Sequence, residues 1–149
     1  VRHIETKRFG RISIREDSII TFPGGILDFE ELNEFAVIGI EEYLPFLMLV
    51  SLGPVPLSFP VINPFPIFPS YQPALPPDVI DALDIRRKKE VQFYCFVSFG
   101  DGGRSFADLA SPLVINASSL LGAHVHLKGD DYDSRAPIDL REILARALS

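Results

Sequence analysis

Hydrophobic and polar positions follow one another in short runs along most of the chain, and turn residues interrupt them at roughly ten-residue intervals. HIETKRFGRISI, residues 3–14, alternates on both sides of Phe9-Gly10 and predicts two strands joined by a tight turn. SIITF (18–22) predicts a third strand. EFAVIGI (34–40) and PFLMLVSL (45–52) predict a fourth and a fifth, with EEYLP as the turn between them. LSFPVI (57–62) reads as a sixth, and Pro60 places it at an edge or a bulge because proline brings no ladder donor. VQFYCFVSF (91–99) is the longest apolar run, and GDGG (100–103) after it reads as hairpin punctuation. SFADLA (105–110), PLVINA (112–117) and AHVHLK (123–128) complete the set. The pattern predicts a mainly β protein: a small antiparallel β-barrel of short strands, with a sandwich as the other arrangement such runs support.

Two segments carry a helical period. PPDVIDAL (76–83) starts on prolines, which suit a first helical turn. DLREILARALS (139–149) places Leu140, Ile143, Leu144, Ala147 and Leu148 on one stripe, with Asp139 and Glu142 in capping-box spacing, and predicts a C-terminal amphipathic helix. Nine of the 13 prolines lie between Pro54 and Pro77, so regular pairing must break there. Phe65, Ile67, Phe68, Tyr71 and Leu75 are too apolar for a solvated arm, so this long loop is expected to pack on the barrel. PxxP spacings within it also fit a polyproline ligand.

At 149 residues and 47% hydrophobic content the chain, residues 1–149, fits a single domain with one real core. The N-terminus, VRHIETKRFG, has no apolar signal region, and no run approaches membrane-spanning length. One cysteine, Cys95, lies inside an apolar run, where a buried and inert thiol is expected, and a reducing, cytoplasmic setting follows. The net charge of −6 is unevenly spread. Residues 1–15 hold five basic side chains against Glu5, whereas residues 16–85 hold eleven carboxylates and no Lys or Arg. Such a centre repels nucleic acid and attracts a basic protein; it also serves as an ordinary solvated surface.

Candidate chemistry is sparse. His124 and His126 alternate on a predicted strand face, and with His3 form a weak metal candidate, since zinc takes three or four ligands. GDDYDS (129–134) clusters carboxylates, but Arg135 and Ala136 stand where a calcium loop needs an acidic or amide residue and a glycine. GDGGRS lacks the Lys-Ser/Thr of a phosphate loop, and no nucleophile has a base at a recognisable spacing. Arg86-Arg87-Lys88-Lys89 reads as a solvated turn. No catalytic residue, metal ligand or cofactor site is assigned, and a non-enzymatic binding protein is the expected class. A ligand-binding barrel or an enzyme of unrecognised chemistry is the alternative; it would carry a deep pocket with convergent polar groups.

Seven short motifs come in a fixed order: IETKRFG (4–10), IITFPGGILDFEELNEF (19–35), PFLMLVSL (45–52), VINPF (61–65), PSYQP (69–73), ASPLVIN (110–116) and YDSRAPI (132–138). In order and spacing they resemble the FliW flagellar assembly factors over nearly the whole chain. The chain departs from that pattern at Ser70, at Asp108 and at Leu120-Leu121, where basic residues are expected. The resemblance implies a small cytoplasmic β-barrel that binds two proteins. One is flagellin before its export. The other is CsrA, the translational repressor of the flagellin message, antagonised away from its RNA site. It implies a partner switch, with no direct contact to nucleic acid and none to membrane. A flagellin chaperone without a translational role is the narrower reading. With the acidic centre, the resemblance makes Asp28, Phe29, Glu30 and Glu31 a candidate partner-facing cluster. Glu41 and Glu42 are candidate steering charges, and Asn63, Pro64, Phe65 and Tyr71 form a second candidate patch. Plain barrel packing and turn formation compete with that role, above all at Phe65 and Tyr71. In TFPGGILDFE the glycines read as a strand-ending turn, and Asp28 with Glu31 as a capping pair for a short helical turn.

Overall fold

The computed structural model describes residues 1–129 and 131–141. In chain order its strands are β1 (Arg2–Thr6), β2 (Gly10–Ile14), β3 (Ile20–Thr21), β4 (Glu34–Gly39), β5 (Leu47–Ser51), β6 (Ser58–Ile62), β7 (Val91–Phe99), β8 (Ser105–Ala107), β9 (Leu113–Asn116), β10 (Leu121–His124) and β11 (Ala136–Pro137). The helix α1 (Pro77–Ala82) lies between β6 and β7. Strands bond in the order β3-β4-β5-β6-β7-β9-β10, and β10 returns to β3, so the sheet closes on itself. The joins are antiparallel except the closing one, where Leu121 pairs in parallel with Thr21. The nine residues of β7 are long enough to serve two partners besides β6. Its first half pairs with β9, and its end pairs with β8, which carries β11 at its far edge.

Strand alternation fills the ring. Phe35, Leu49, Val61, Leu113 and Ile115 point to one cluster and are fully buried, joined by Phe22 and Ile26 from the β3–β4 connection. The alternate positions on the same strands are apolar as well, because the outside of the wall is covered. The β1–β2 hairpin lays Ile4 and Ile14 on Ala36, Met48 and Val50. The proline-rich loop lays Tyr71, Ile67 and Phe68 on Ile62, Cys95 and Val97. The α1 segment lays Leu83, Val79 and Leu75 on Val114 and Val125. Each large side chain so enclosed contributes about 1.5–3 kcal/mol relative to exposure. This two-sided burial explains why the central strands read as continuous apolar runs.

Several local expectations change. β6 is an inner strand, not an edge: Pro60 pairs with Met48 of β5, while the β6–β7 ladder holds only Val61 and Ile62. Pro60 lies past the end of that ladder, where no β7 carbonyl awaits its missing N–H. The strand expected over AHVHLK runs instead from Leu121 to His124. Beyond it Val125 and Leu127 still donate to the carbonyls of Pro112 and Ala110, at 2.9 and 2.8 Å. The proline-rich loop packs on the barrel as its apolar content requires. Of the C-terminal helix, Leu140 and Arg141 are helical, and Asp139 Oδ1 accepts from Arg141 N at 3.0 Å. Residues 142–149, which hold the rest of the expected stripe, lie outside the described residues.

Candidate partner-binding surfaces

The segment from Phe22 to Asn33 forms a clasped loop at one end of the barrel. Phe22 N donates to Asn33 O at 2.7 Å, and Asn33 Nδ2 donates back to Phe22 O at 2.9 Å. Gly25 has φ +66°, and a Cβ there would stand 2.6 Å from the Glu30 backbone, so only glycine lets the two arms close. Within the loop Ile26 and Phe29 bridge across a turn, Phe29 N donating to Ile26 O at 2.9 Å. Asp28 holds the left-handed position of that turn at φ 70°. The expected Asp28–Glu31 capping pair is therefore absent. A left-handed Asp28 cannot act as an N-cap, and it is Glu30 Oε1 that accepts from Asp28 N, at 3.3 Å.

The clasp sorts its side chains. Phe29 turns inward and meets Phe59 edge-on at 5.3 Å, beside Leu32. Leu27, Asp28, Glu30 and Glu31 are exposed, with Leu27 66% accessible at the tip. Leu27 N donates to His124 Nδ1 at 3.1 Å, and His124 Nε2 bonds the Ser111 carbonyl at 3.0 Å. A carbonyl only accepts and an amide N–H only donates, so His124 is neutral with its proton on Nε2. Burial lowers its pKa, opposed by the Ser111 carbonyl and by Asp108. His124 is thus a tether for the acidic tip, a role that its spacing in the sequence does not reveal. His126 bonds Ser111 Oγ at 2.8 Å. Among the described residues no three His, Cys, Asp or Glu side chains converge as metal ligands.

Glu41 and Glu42 are exposed on a 3₁₀ turn after β4. They flank an apolar patch that the sequence pattern missed. Phe9 from the β1–β2 turn meets Tyr43 edge-on at 5.7 Å, and with Ile12, Ile38 and Ile40 they line a hollow of about 660 Å³ closed by Arg8 and Glu42. Tyr43 and Leu44 remain 41% and 56% exposed. The residues are distant in sequence, and only the hairpin laid across β4 brings them together.

The second candidate patch divides. Asn63 Oδ1 accepts from Phe65 N at 3.1 Å, a local turn, and Pro64 is fully buried. Tyr71 is enclosed as well, its hydroxyl donating to Leu109 O at 2.7 Å, and burial raises its pKa. Pro64 and Tyr71 are enclosed by the loop, while Asn63 stays exposed beside its turn. Phe65 presents an aromatic face: it is 40% exposed, with Phe93 edge-on at 5.5 Å and Tyr71 at 6.0 Å. It stands over a groove of about 550 Å³ lined by Leu75, Ile80, Ile85 and Val91, with Arg86, Arg87 and Lys88 along one rim. The Cys95 thiol is fully buried, and desolvation pushes its pKa up to about 12, which keeps it protonated and unreactive.

Inner-face side chains pack the core of the ring and leave a hollow of about 260 Å³ beside Ile20, Leu47, Tyr94 and Ile115. Fold and surface together define a small closed β-barrel with acidic and apolar patches on its outside. The family model described as FliW protein matches residues 3–138, and the chain belongs to that family. The flagellar assembly factor FliW of Syntrophus aciditrophicus is 38% identical over 91% of this chain and 84% of its own length. That of Bacillus subtilis is 30% identical over 91% and 95%. A solved crystal structure of the flagellar assembly factor FliW superimposes with a TM-score of 0.84 at 32% identity, covering 91% of this chain and 96% of that one. The chain is thereby a flagellar assembly factor of mainly β fold. No helix among the described residues is long and apolar enough to cross a membrane.

Proposed function

We propose that this protein is a cytoplasmic partner switch that binds the translational repressor CsrA and cytoplasmic flagellin. Bound to CsrA, it relieves repression of flagellin synthesis; occupied by flagellin, it leaves CsrA free to repress. The observation that carries this reading is the family match over residues 3–138. The exposed carboxylates of Asp28, Glu30 and Glu31 on the clasped loop before β4, and of Glu41 and Glu42 on the turn after it, support it, since they suit a basic RNA-binding partner. Phe29 serves that surface by anchoring the loop from inside, and Asn63 and Phe65 are the members of the second patch that reach solvent. No enzymatic activity is part of the proposal. A ligand inside the barrel is disfavoured by the inner-cluster side chains, which leave a hollow of only about 260 Å³, below the roughly 300–1,000 Å³ of ligand pockets.

Isothermal titration of the full chain with CsrA and with flagellin from the same organism tests the reading. Binding of both is expected, with flagellin displacing CsrA. Absence of binding to either at tens of micromolar overturns it. Flagellin binding without CsrA binding reduces the protein to a chaperone.

A further inference from the structure

The groove beneath Phe65 differs in sign from the rest of the candidate surface. Its walls are apolar and come from four elements: Phe65 and Leu75 of the proline-rich loop, Ile80 of α1, Ile85 after it, and Phe93 of β7. Its rim is basic. Arg86 is paired with Asp84 at 3.5 Å, whereas Arg87 and Lys88 are exposed and make no ion pair among the described residues. These are the first basic residues after a stretch of seventy positions without one. We propose that the groove docks an amphipathic helix of a partner protein, its apolar face on Phe65, Ile80 and Phe93 and its flanking carboxylates against Arg87 and Lys88.

Three features favour this occupant. The cations are solvated at the rim and do not converge inside, as the polar groups of a small-molecule site do. An occupant that pairs its own backbone groups, as a helix does, needs no amide or carbonyl partner from an apolar wall. The charge is complementary to acidic flanks and repels the basic partner drawn to Asp28, Glu30 and Glu31. Surfaces of opposite sign let one small barrel tell two partners apart. The inference rests on the reading of the protein as a binder of proteins and adds the chemistry of one surface.

The test uses the ¹⁵N-labelled full chain and two synthetic helical peptides, both with leucine on one face, one flanked by glutamate and one by lysine. Amide shifts are expected around Phe65, Ile80, Ile85 and Phe93, with the glutamate peptide binding at least about ten-fold tighter than the lysine peptide. R87E/K88E, changed at exposed positions, is expected to lose that preference. Shifts elsewhere, no shifts, or equal affinity for the two peptides overturns the proposal. So does self-association of the wild type that R87E/K88E abolishes, which gives the groove to a second copy. None of these outcomes touches the titrations with CsrA and flagellin, so the two readings fail separately.

Discussion

Two glycines and a histidine set the geometry of the acidic tip. A Cβ on Gly122 would lie 2.6 Å from Cε1 and Cζ of Phe22, a fully buried ring that also stacks edge-on with Phe35 at 5.1 Å. The ring has nowhere to go, so Gly122→Ala is expected to cost about 1–3 kcal/mol, read as a lower urea midpoint at unchanged slope. Gly25→Ala meets Glu30 backbone at 2.6 Å at a positive φ and should open the clasp as well as destabilise it. His124 gives a pH dependence with a definite sign. Its folded pKa is lowered by burial, so below the ordinary value of about 6.5 the unfolded chain binds more protons than the folded one. The contribution is fully present above that value and is lost as pH falls toward the folded pKa. Protonation also sets an Nδ1–H against Leu27 N–H. Asp108 opposes the shift and His126 adds to it. A ring titration by NMR should show a His124 midpoint below 6.5, and His124→Gln should flatten stability between neutral and mildly acidic pH. An unchanged slope in that variant removes the assignment.

At the scale of elements, the covering layers are pinned by single polar side chains. Asn116 is fully buried at the end of β9. Its amide donates to Leu83 O and Asp84 O at 2.8 and 3.1 Å, and its Oδ1 accepts from Ser118 N at 2.9 Å. It therefore locks the end of α1 to the turn before β10. Asn116→Ala leaves Asp84 O and Ser118 N without that partner, at about 1–3 kcal/mol each, while Leu83 O keeps Ser119 Oγ at 2.9 Å, and hydrogen exchange should show α1 loosening ahead of the ring. Tyr71→Phe leaves Leu109 O unpaired and should free the proline-rich loop at a similar cost. These two residues show where sequence reading stops. Turn residues and apolar runs made most strands, the β1–β2 hairpin and α1 legible, because they are local. The parallel Leu121–Thr21 join, β11 and the inner place of β6 were not, since each depends on a partner far along the chain. Tyr71 stands out as a surface candidate because its motif is distinctive, yet the structure encloses it, while Asn63 stays exposed. The Phe9–Tyr43 hollow had no local signal. It exists only where a hairpin turn lands beside the end of β4.

The whole molecule carries its charge in separate regions, and that arrangement bears on rates more than on affinity. Within the central segment Glu34 is partly neutralised, since Arg2 Nη1 lies 3.0 Å from it and Nη2 lies 3.6 Å from Glu16. Asp28, Glu30, Glu31, Glu41 and Glu42 make no ion pair among the described residues and are exposed, so their field reaches solvent uncompensated. A basic partner approaching either group, the loop before β4 or the turn after it, feels attraction over a Debye length of about 10 Å at 0.1 M salt and only about 3 Å at 1 M. Association with CsrA measured by stopped flow should therefore slow by about ten-fold or more from low to high salt, while the dissociation rate changes little. Neutralising Glu30 and Glu31 to glutamine should reduce both the low-salt rate and its salt dependence. Glu42, seated at the rim of the Phe9–Tyr43 hollow, separates steering from contact. If it only steers, Glu42→Gln changes the on-rate alone; if that hollow is the docking surface, dissociation accelerates too. A rate independent of salt removes the steering role while leaving the partnership to the titrations. The apolar patches would then have to supply the encounter as well as the hold.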